Sequence, residues 1–123
     1  MLKEKKELEN LATYCIDKST KFNATNCEVK VGNIISETIN LRNKKIDNSD
    51  RSDILSINIT AYIDKKKSST QFTYIDNSNT SMMIEKCIEA TKLLPDDKFN
   101  SLPDKRLLAK NTEDLLLFDE SIQ

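Results

Sequence analysis

The sequence predicts an α+β domain in which an antiparallel sheet of about five strands is covered on one face by an N-terminal helix and a C-terminal helix. Between Asn26 and Asp76, apolar and polar residues alternate, most regularly over residues 54–63. A period of two places the apolar set on one face of a sheet and the polar set on the other. A sheet with one wet face is typical of antiparallel strands. The flanking segments carry apolar residues at helical spacing, so we expect them to cover the apolar face.

The overall composition indicates one domain without a strong electrostatic field. A chain of 123 residues fits a single core. Its 19 basic and 20 acidic residues nearly cancel, which disfavours a field that attracts nucleic acid or an anionic membrane. The three cysteines form no CxxC pair, and no apolar run is long enough to be a signal or membrane segment. We therefore expect a cytoplasmic protein.

The first helix is predicted over residues 2–19. Its inward face is expected to carry apolar residues at helical spacing, namely Leu8, Leu11, Ala12, Cys15 and Ile16. No strong N-cap residue precedes it, so its first turns are expected to fray. Residues 21–26 form a loop in this interpretation, and Phe22 packs from it against the core.

Five strands are predicted over residues 27–31, 34–42, 45–48, 54–63 and 68–75. The connections between them are predicted at residues 32–33, 43–44, 49–53 and 64–67. Because the chain has one glycine, Gly32, we expect Asn, Asp or Lys to supply the positive φ angles of the hairpins. The short third strand has Ile46 as its one apolar residue, which is typical of an edge strand.

The second helix is predicted over residues 79–94, with Ser78 as its N-cap and Pro95 as its stop. Its buried face is expected to carry Met83, Cys87, Ala90 and Leu94, with Ile84, Ile88 and Thr91 beside them. Residues 97–103 are predicted to be a connector, followed by a short turn capped by Asp104 and an apolar tail at residues 115–118. The domain thus comprises residues 1–94, and residues 95–123 form the connector and tail.

The sequence predicts no catalytic, cofactor-binding or metal-binding residues. Without histidine, the Ser-His and Cys-His arrangements are excluded. Three dispersed cysteines do not supply the four ligands of a structural zinc site. An acidic stretch resembles a calcium loop weakly, through Asp47, Asn48, Ser49, Asp50 and Asp53. It lacks the glycine and the bidentate glutamate of such loops, so a solvated loop is the better interpretation. Asp96 and Asp97, which follow Pro95, are similarly interpreted as polar residues at the end of the second helix.

One basic stretch raises the possibility of nucleic-acid binding. Residues 65–67 are three lysines, near the aromatic residues Tyr62, Phe72 and Tyr74. Basic hairpins with sheet aromatics bind single-stranded nucleic acid in other proteins. Here the neighbouring acids cancel the field and no RNP-like Gly-aromatic motif is present, so the pattern favours a solvated hairpin that protects the sheet from aggregation.

Several segments, taken in order, resemble one known family. They are NCEVKV at residues 26–31, LRNKKIDN at 41–48, strands at 57–63 and 65–70, LPDDKFNSLP at 94–103, LLA at 107–109 and DLLLFD at 114–119. Their order resembles the N-terminal domain of the PmbA/TldD family, also called TldD/TldE or modulator of DNA gyrase, and is nearer to its PmbA (TldE) branch. Lys44 and Ser68 replace hairpin glycines of the family pattern.

This resemblance implies a non-catalytic N-terminal domain of a subunit in a cytoplasmic zinc metallopeptidase complex that processes peptides. The domain would assemble with a TldD-like partner subunit, or with itself, and wall the peptide chamber. The family's HExxxH zinc motif belongs to a C-terminal domain that the sequence does not contain, so no catalytic residue is carried over.

The alternative is a stand-alone module that recruits a peptide or nucleic acid through the edge at residues 45–48 or the basic hairpin. A stand-alone module should pack residues 115–118 on itself; a severed domain should leave them loose or paired with another copy.

Overall fold

The computed structural model describes residues 2–119 and 121 and shows an α+β fold. Its elements are α1 (Lys5–Lys21), β1 (Asn26–Arg42), β2 (Lys45–Ile63), β3 (Lys66–Thr73), α2 (Asn77–Lys92) and a 3₁₀ turn (Lys105–Leu107). The strands form one antiparallel sheet in the order β1-β2-β3. The predicted class and the helix at each end are confirmed. The predicted count of five strands is wrong, since the described residues form three.

The count is wrong because β1 and β2 are much longer than the sequence pattern suggested. The predicted turn at residues 32–33 lies inside β1, where Gly32 and Asn33 pair with Ser56 and Leu55. The predicted loop at residues 49–53 lies inside β2 and pairs with residues 35–39. Polar residues resemble a loop in sequence, yet their backbone groups still form a complete ladder with the facing strand. The predicted third and fourth strands are therefore one continuous strand.

The hairpins use non-glycine residues at positive φ, as predicted. Asn43 and Lys44 form a two-residue loop with φ angles of 52° and 62°, the signs that a type I′ turn requires. The β2–β3 hairpin turns at Asp64, with φ 52°, and its tip is shorter than predicted because Lys66 and Lys67 already belong to β3. A bulge interrupts the β1–β2 ladder between Asn40 and Leu41.

Helix α1 begins with a defined cap rather than a frayed turn. Glu4 and Glu7 form a reciprocal capping box, in which the Glu4 N–H donates to Glu7 Oε2 at 3.0 Å. Cys15 is fully buried on the inward face. Ile16, predicted to be inward, is 44% exposed and lies on the outer face. Phe22 packs against the core, as predicted.

Helix α2 begins two residues earlier than predicted and presents a rotated face to the sheet. Asp76 caps it, since Asp76 Oδ1 accepts the Asn79 N–H at 2.7 Å. The predicted cap Ser78 lies inside the first turn. The buried residues of the helix are Thr80, Ile84, Cys87, Ile88 and Thr91. Ala90 and Leu94, predicted to be buried, are exposed, because α2 packs through the Ile84–Ile88 side.

The hydrophobic core lies in one half of the sheet. Ile57, Ile59 and Ala61 of β2 are fully buried against the two helices. In this half all three strands are present, because β3 pairs only with residues 56–63 of β2. The other half of β1 and β2 extends past the core as a two-stranded ribbon. We call this ribbon, residues 34–54, the arm.

Candidate interaction surface

The arm projects from the core because β1 and β2 exceed the helices in length. At ~3.3 Å per residue, the 17 residues of β1 span roughly 56 Å, whereas the 17 residues of α1 span about 26 Å. Residues 36–54 are all exposed. The arm therefore reaches roughly 30 Å beyond the part of the sheet that the helices cover. An exposed projection of this kind is suited to contact with another molecule.

The two faces of the arm differ in chemistry. Residues that pair directly lie on the same face, so the face that continues from the core carries the pairs Ile35–Asp53, Glu37–Arg51, Ile39–Ser49 and Leu41–Ile46. The opposite face carries Ile34–Ile54, Ser36–Ser52, Thr38–Asp50, Asn40–Asn48 and Arg42–Lys45. An apolar group thus forms at the tip of the first face, and a single apolar pair lies at the base of the second.

The tip group consists of Ile39, Leu41 and Ile46. Their exposed fractions are 53%, 68% and 66%. Solvated ribbons are normally protected by charged or polar side chains, and clustered exposed apolar side chains mark a contact surface. We therefore identify the tip group as the candidate binding element of the arm.

A network of polar contacts fixes the base of the arm. Asn33 Nδ2 donates to Asp53 Oδ1 at 2.6 Å and to the Ile54 carbonyl at 3.2 Å. Asn33 Oδ1 in turn accepts the Lys3 N–H at 2.8 Å, which connects the arm to the segment before α1. These bonds hold the arm in one direction relative to the helices.

A cleft of about 290 Å³ lies beside this base, between the start of α1 and the start of α2. Leu8, Leu11, Tyr14, Leu55 and Tyr74 supply its apolar walls, with Lys3, Glu7, Asn10 and Asn77 at its margin. Tyr14 Oη donates to the Asn77 carbonyl at 2.9 Å, which fixes one wall. The cleft can accept an apolar side chain, and at its margin Lys3 Nζ lies 3.7 Å from Glu7 Oε1 in an exposed ion pair.

The acidic stretch that weakly resembled a calcium loop lies in β2, where its side chains point in different directions. Asp53 and Ser49 share one face, Asp50 lies on the other, and Asp47 lies at the bulge. Among residues 2–119 and 121, no group of three His, Cys, Asp or Glu side chains is arranged to hold a metal ion. The Asp97 N–H donates to the Lys65 carbonyl at 3.0 Å, so this residue fastens the connector to the β2–β3 hairpin.

The basic hairpin does not combine its lysines with the predicted aromatic surface. Phe72 pairs with Ile57 and packs with Tyr74 against the core. Tyr62 is 5% exposed, and the Lys67 ammonium lies 5.8 Å from its ring centroid. The three aromatic rings therefore form no common platform on which bases could stack.

The three cysteines lie in or beside the core rather than at the surface. Burial raises the pKa of the Cys15 thiol to about 11, with a smaller contribution from Cys27. Burial also raises the pKa of Cys27, although a hydrogen bond with Ser19 opposes this effect. The raised pKa values of the Cys15 and Cys27 thiols favour the protonated form, which is the opposite of what a nucleophilic cysteine needs.

The apolar residues near the C-terminus are exposed. Leu115, Leu116, Leu117 and Phe118 have exposed fractions of 69%, 84%, 86% and 69%. Asp104 caps the 3₁₀ turn before them, as predicted, through a bond from the Arg106 N–H at 2.9 Å. The tail is thus a second exposed apolar element besides the tip group.

No helix in the part of the chain that the structure describes is long and apolar enough to cross a membrane.

Comparison with solved structures finds chains of similar fold. The fold is similar to that of a crystal structure from Bacteroides thetaiotaomicron described as a candidate modulator of DNA gyrase, with a TM-score of 0.74 and 19% sequence identity. The match covers 98% of this chain and 27% of that protein, so the chain spans about a quarter of the length of the structure it resembles. The sequence matches no protein-family model and no curated protein. At this identity the likeness shows a shared fold.

Proposed function

We propose that this chain is a non-catalytic assembly domain of the PmbA/TldD type, which joins a TldD-like partner subunit of a cytoplasmic peptidase complex through the tip of its arm. The observation that carries this proposal is the exposed apolar tip group on an arm that extends beyond the core. The fold shared with part of a longer protein of that type supports it. The resemblance of residues 94–103 and 114–119 to the family pattern supports it as well.

The arm suits assembly better than catalysis for a physical reason. Its exposed residues include no histidine and no cysteine, and its charged residues, such as Glu37 and Arg51, are exposed. Exposed charges contribute little binding energy, whereas each large apolar side chain that a partner covers contributes about 1.5–3 kcal/mol when fully buried. The tip group would therefore dominate the affinity, as a small cluster does in most interfaces.

The test is binding of the purified chain to a TldD-like protein from the same cell, measured by pull-down and size-exclusion chromatography. We expect a complex of fixed stoichiometry. The double variant L41D/I46D should weaken it at least ~10-fold, because two carboxylates then replace the apolar pair. The double variant S36D/S52D is the matched control, since it places the same two charges opposite each other on the other face of the arm.

The two variants separate a specific contact from a general effect of charge. An equal loss of affinity in both variants would mean that the tip group does not contact the partner. Failure of the folded wild-type chain to form any complex would overturn the assembly role. The same proposal expects no zinc-dependent peptidase activity from the isolated chain, so measurable cleavage with added zinc would also contradict it.

A further inference from the structure

The ladder between β2 and β3 ends while β2 continues. Its last bond runs from the Tyr74 N–H to the Leu55 carbonyl at 2.8 Å, after which the chain turns into α2 at Asp76. Successive residues of a strand direct their backbone groups to opposite edges. Since Leu55 faces β3, the backbone groups of Asp53, Arg51 and Ser49 project on the same side. In the described residues no strand runs along that side.

This free side of β2, residues 49–53, is bounded at both ends, and we call it the open edge. Tyr74 closes it at one end, and the bulge at Asp47 interrupts the strand at the other. The backbone N–H and C=O groups of Ser49, Arg51 and Asp53 can therefore pair with an added strand of about five residues. Short strands add to such edges through main-chain hydrogen bonds, and pockets for side chains select among them.

A pocket of that kind lies at the closed end. Leu55 and Tyr74, which make the last bond of the ladder, also line the cleft of about 290 Å³ with Leu8, Leu11 and Tyr14. A strand added in line with β3 would bring one side chain beside this cleft, on the face that continues from the core. The apolar walls indicate a leucine or phenylalanine there. The outer edge of β1 is longer, but the lining of this cleft includes no residue of β1.

The chain itself carries a segment with these properties. Residues 115–118, Leu-Leu-Leu-Phe, are at least 69% exposed and are flanked by Asp114 and Asp119. The run with its flanking Asp114 matches the five residues of the open edge in length. Leu116 has a φ angle of 53°, a strained conformation for leucine that an extended, paired strand would relieve.

We propose that residues 115–118 of a second copy of this chain pair with the open edge as a fourth strand and place one apolar side chain in the cleft. The tail of the same chain is less suited. Asp97 and Asn100 both bond the Lys65 carbonyl at 3.0 Å, beyond the end of β2 that lies roughly 33 Å from Asp53. Residues 101–114, which include the 3₁₀ turn, would have to run almost fully extended to bring residues 115–118 of the same chain to the open edge. Reciprocal exchange of two tails gives a closed two-fold dimer. This inference does not depend on the tip group or on a TldD-like partner.

The test is the oligomeric state of the full chain over a range of concentrations, measured by analytical ultracentrifugation. We expect a monomer–dimer equilibrium. Arg51→Pro removes an outward N–H of the open edge and leaves the β1 ladder intact, so it should weaken the dimer at least ~10-fold. Glu37→Pro is the matched control: Glu37 pairs with Arg51, and its N–H projects from the opposite edge. In the tail, Leu117→Asp should weaken the dimer as Arg51→Pro does, since its carboxylate could not enter an apolar contact.

A chain that stays monomeric at all concentrations would overturn the proposal, as would a dimer that Arg51→Pro and Glu37→Pro affect equally. If Arg51→Pro does not fold, hydrogen exchange of the backbone amides in the wild-type chain tests whether the open edge is paired. The amides of Ser49, Arg51 and Asp53 should be protected when the chain is concentrated and exchange freely when it is dilute; equal exchange at both concentrations would also overturn the proposal. L41D/I46D should leave the dimer intact, so this inference and the assembly role can fail separately.

Discussion

Leu41 and Ile46 pair directly across the arm, yet 68% and 66% of their side chains face solvent. Two large apolar residues that face each other in a ribbon usually lie over a core, whereas these extend beyond one. Their mutual contact covers only part of each side chain, so folding of the isolated domain gains little from them. Leu41 and Ile46 are therefore expected to contribute more to binding of a partner than to the stability of the fold.

We therefore expect Leu41→Thr and Ile46→Thr to change the free energy of unfolding by no more than about 0.5 kcal/mol, since both sites are largely exposed. Ile59→Ala, at a fully buried site in the same strand, should lower it by about 2–5 kcal/mol through lost burial and a cavity. Urea unfolding followed by circular dichroism measures both. A large loss from either threonine variant would mean that the arm packs on its own domain.

The N-terminus of α2 gives a sharp comparison between two neighbouring residues. Asp76 accepts the Asn79 N–H at 2.7 Å, whereas Ser78 lies within the first turn. Asp76→Ala should cost about 1 kcal/mol of stability because that N–H loses its partner. Ser78→Ala should cost less than about 0.5 kcal/mol. The same urea experiment distinguishes them, and the reverse order of effects would contradict this cap.

A pair of hydroxyl groups joins β3 to α2 beside the core. Ser68 Oγ and Thr91 Oγ1 are 2.6 Å apart, and each also lies within hydrogen-bond distance of the Cys87 carbonyl, at 3.3 and 2.8 Å. Thr91→Val should cost about 1 kcal/mol, because it removes hydrogen bonds at a fully buried site.

The double variant S68A/T91V should cost less than the two single changes together, by at least about 0.5 kcal/mol, since each single change leaves the other hydroxyl with one partner fewer. Thr73→Val, on an exposed part of β3, is the control and should change little. Strict additivity would show that the two hydroxyls act independently.

The buried thiol of Cys15 predicts how stability changes at high pH. Burial raises its pKa from the ordinary value of 9.0 to about 11 in the folded chain. Between these values the unfolded chain loses the proton while the folded chain keeps it, so the free energy of unfolding falls as the pH rises from about 9 to about 11. Below pH 9 both states are protonated and this contribution is constant.

The measurement is the midpoint of urea unfolding at pH 8, 9, 10 and 11 for the wild type and Cys15→Ala. The variant lacks the group that titrates, so its stability should fall less steeply across this window. Cys27 is present in both chains, and because its thiol contributes to the raised pKa of Cys15, the difference in slope also contains the loss of that interaction. Equal slopes would mean that Cys15 ionises as readily in the folded chain as in the unfolded one.

The sequence alone determined the class of the fold, because local patterns encode it. Alternation between Asn26 and Asp76 defined a sheet with one apolar face, and helical spacing on either side defined its cover. The turn at Asn43–Lys44, the contact of Phe22 with the core and the cap at Asp104 followed from single residues with strong local preferences, and the structure confirms all three.

The tertiary structure alone decided how far the strands extend and which helical residues they bury. The polar residues 49–53 look like a loop until a facing strand is present to pair with them, because a ladder depends on backbone groups that every residue supplies. Of the predicted apolar residues of α2, the structure buries Ile84, Cys87 and Ile88 and leaves Ala90 exposed. The neighbouring sheet fixes the rotation of a helix whose apolar residues surround much of its axis. The arm, the open edge and the cleft arise where strands and helices of unequal length meet, so only the assembled fold reveals them.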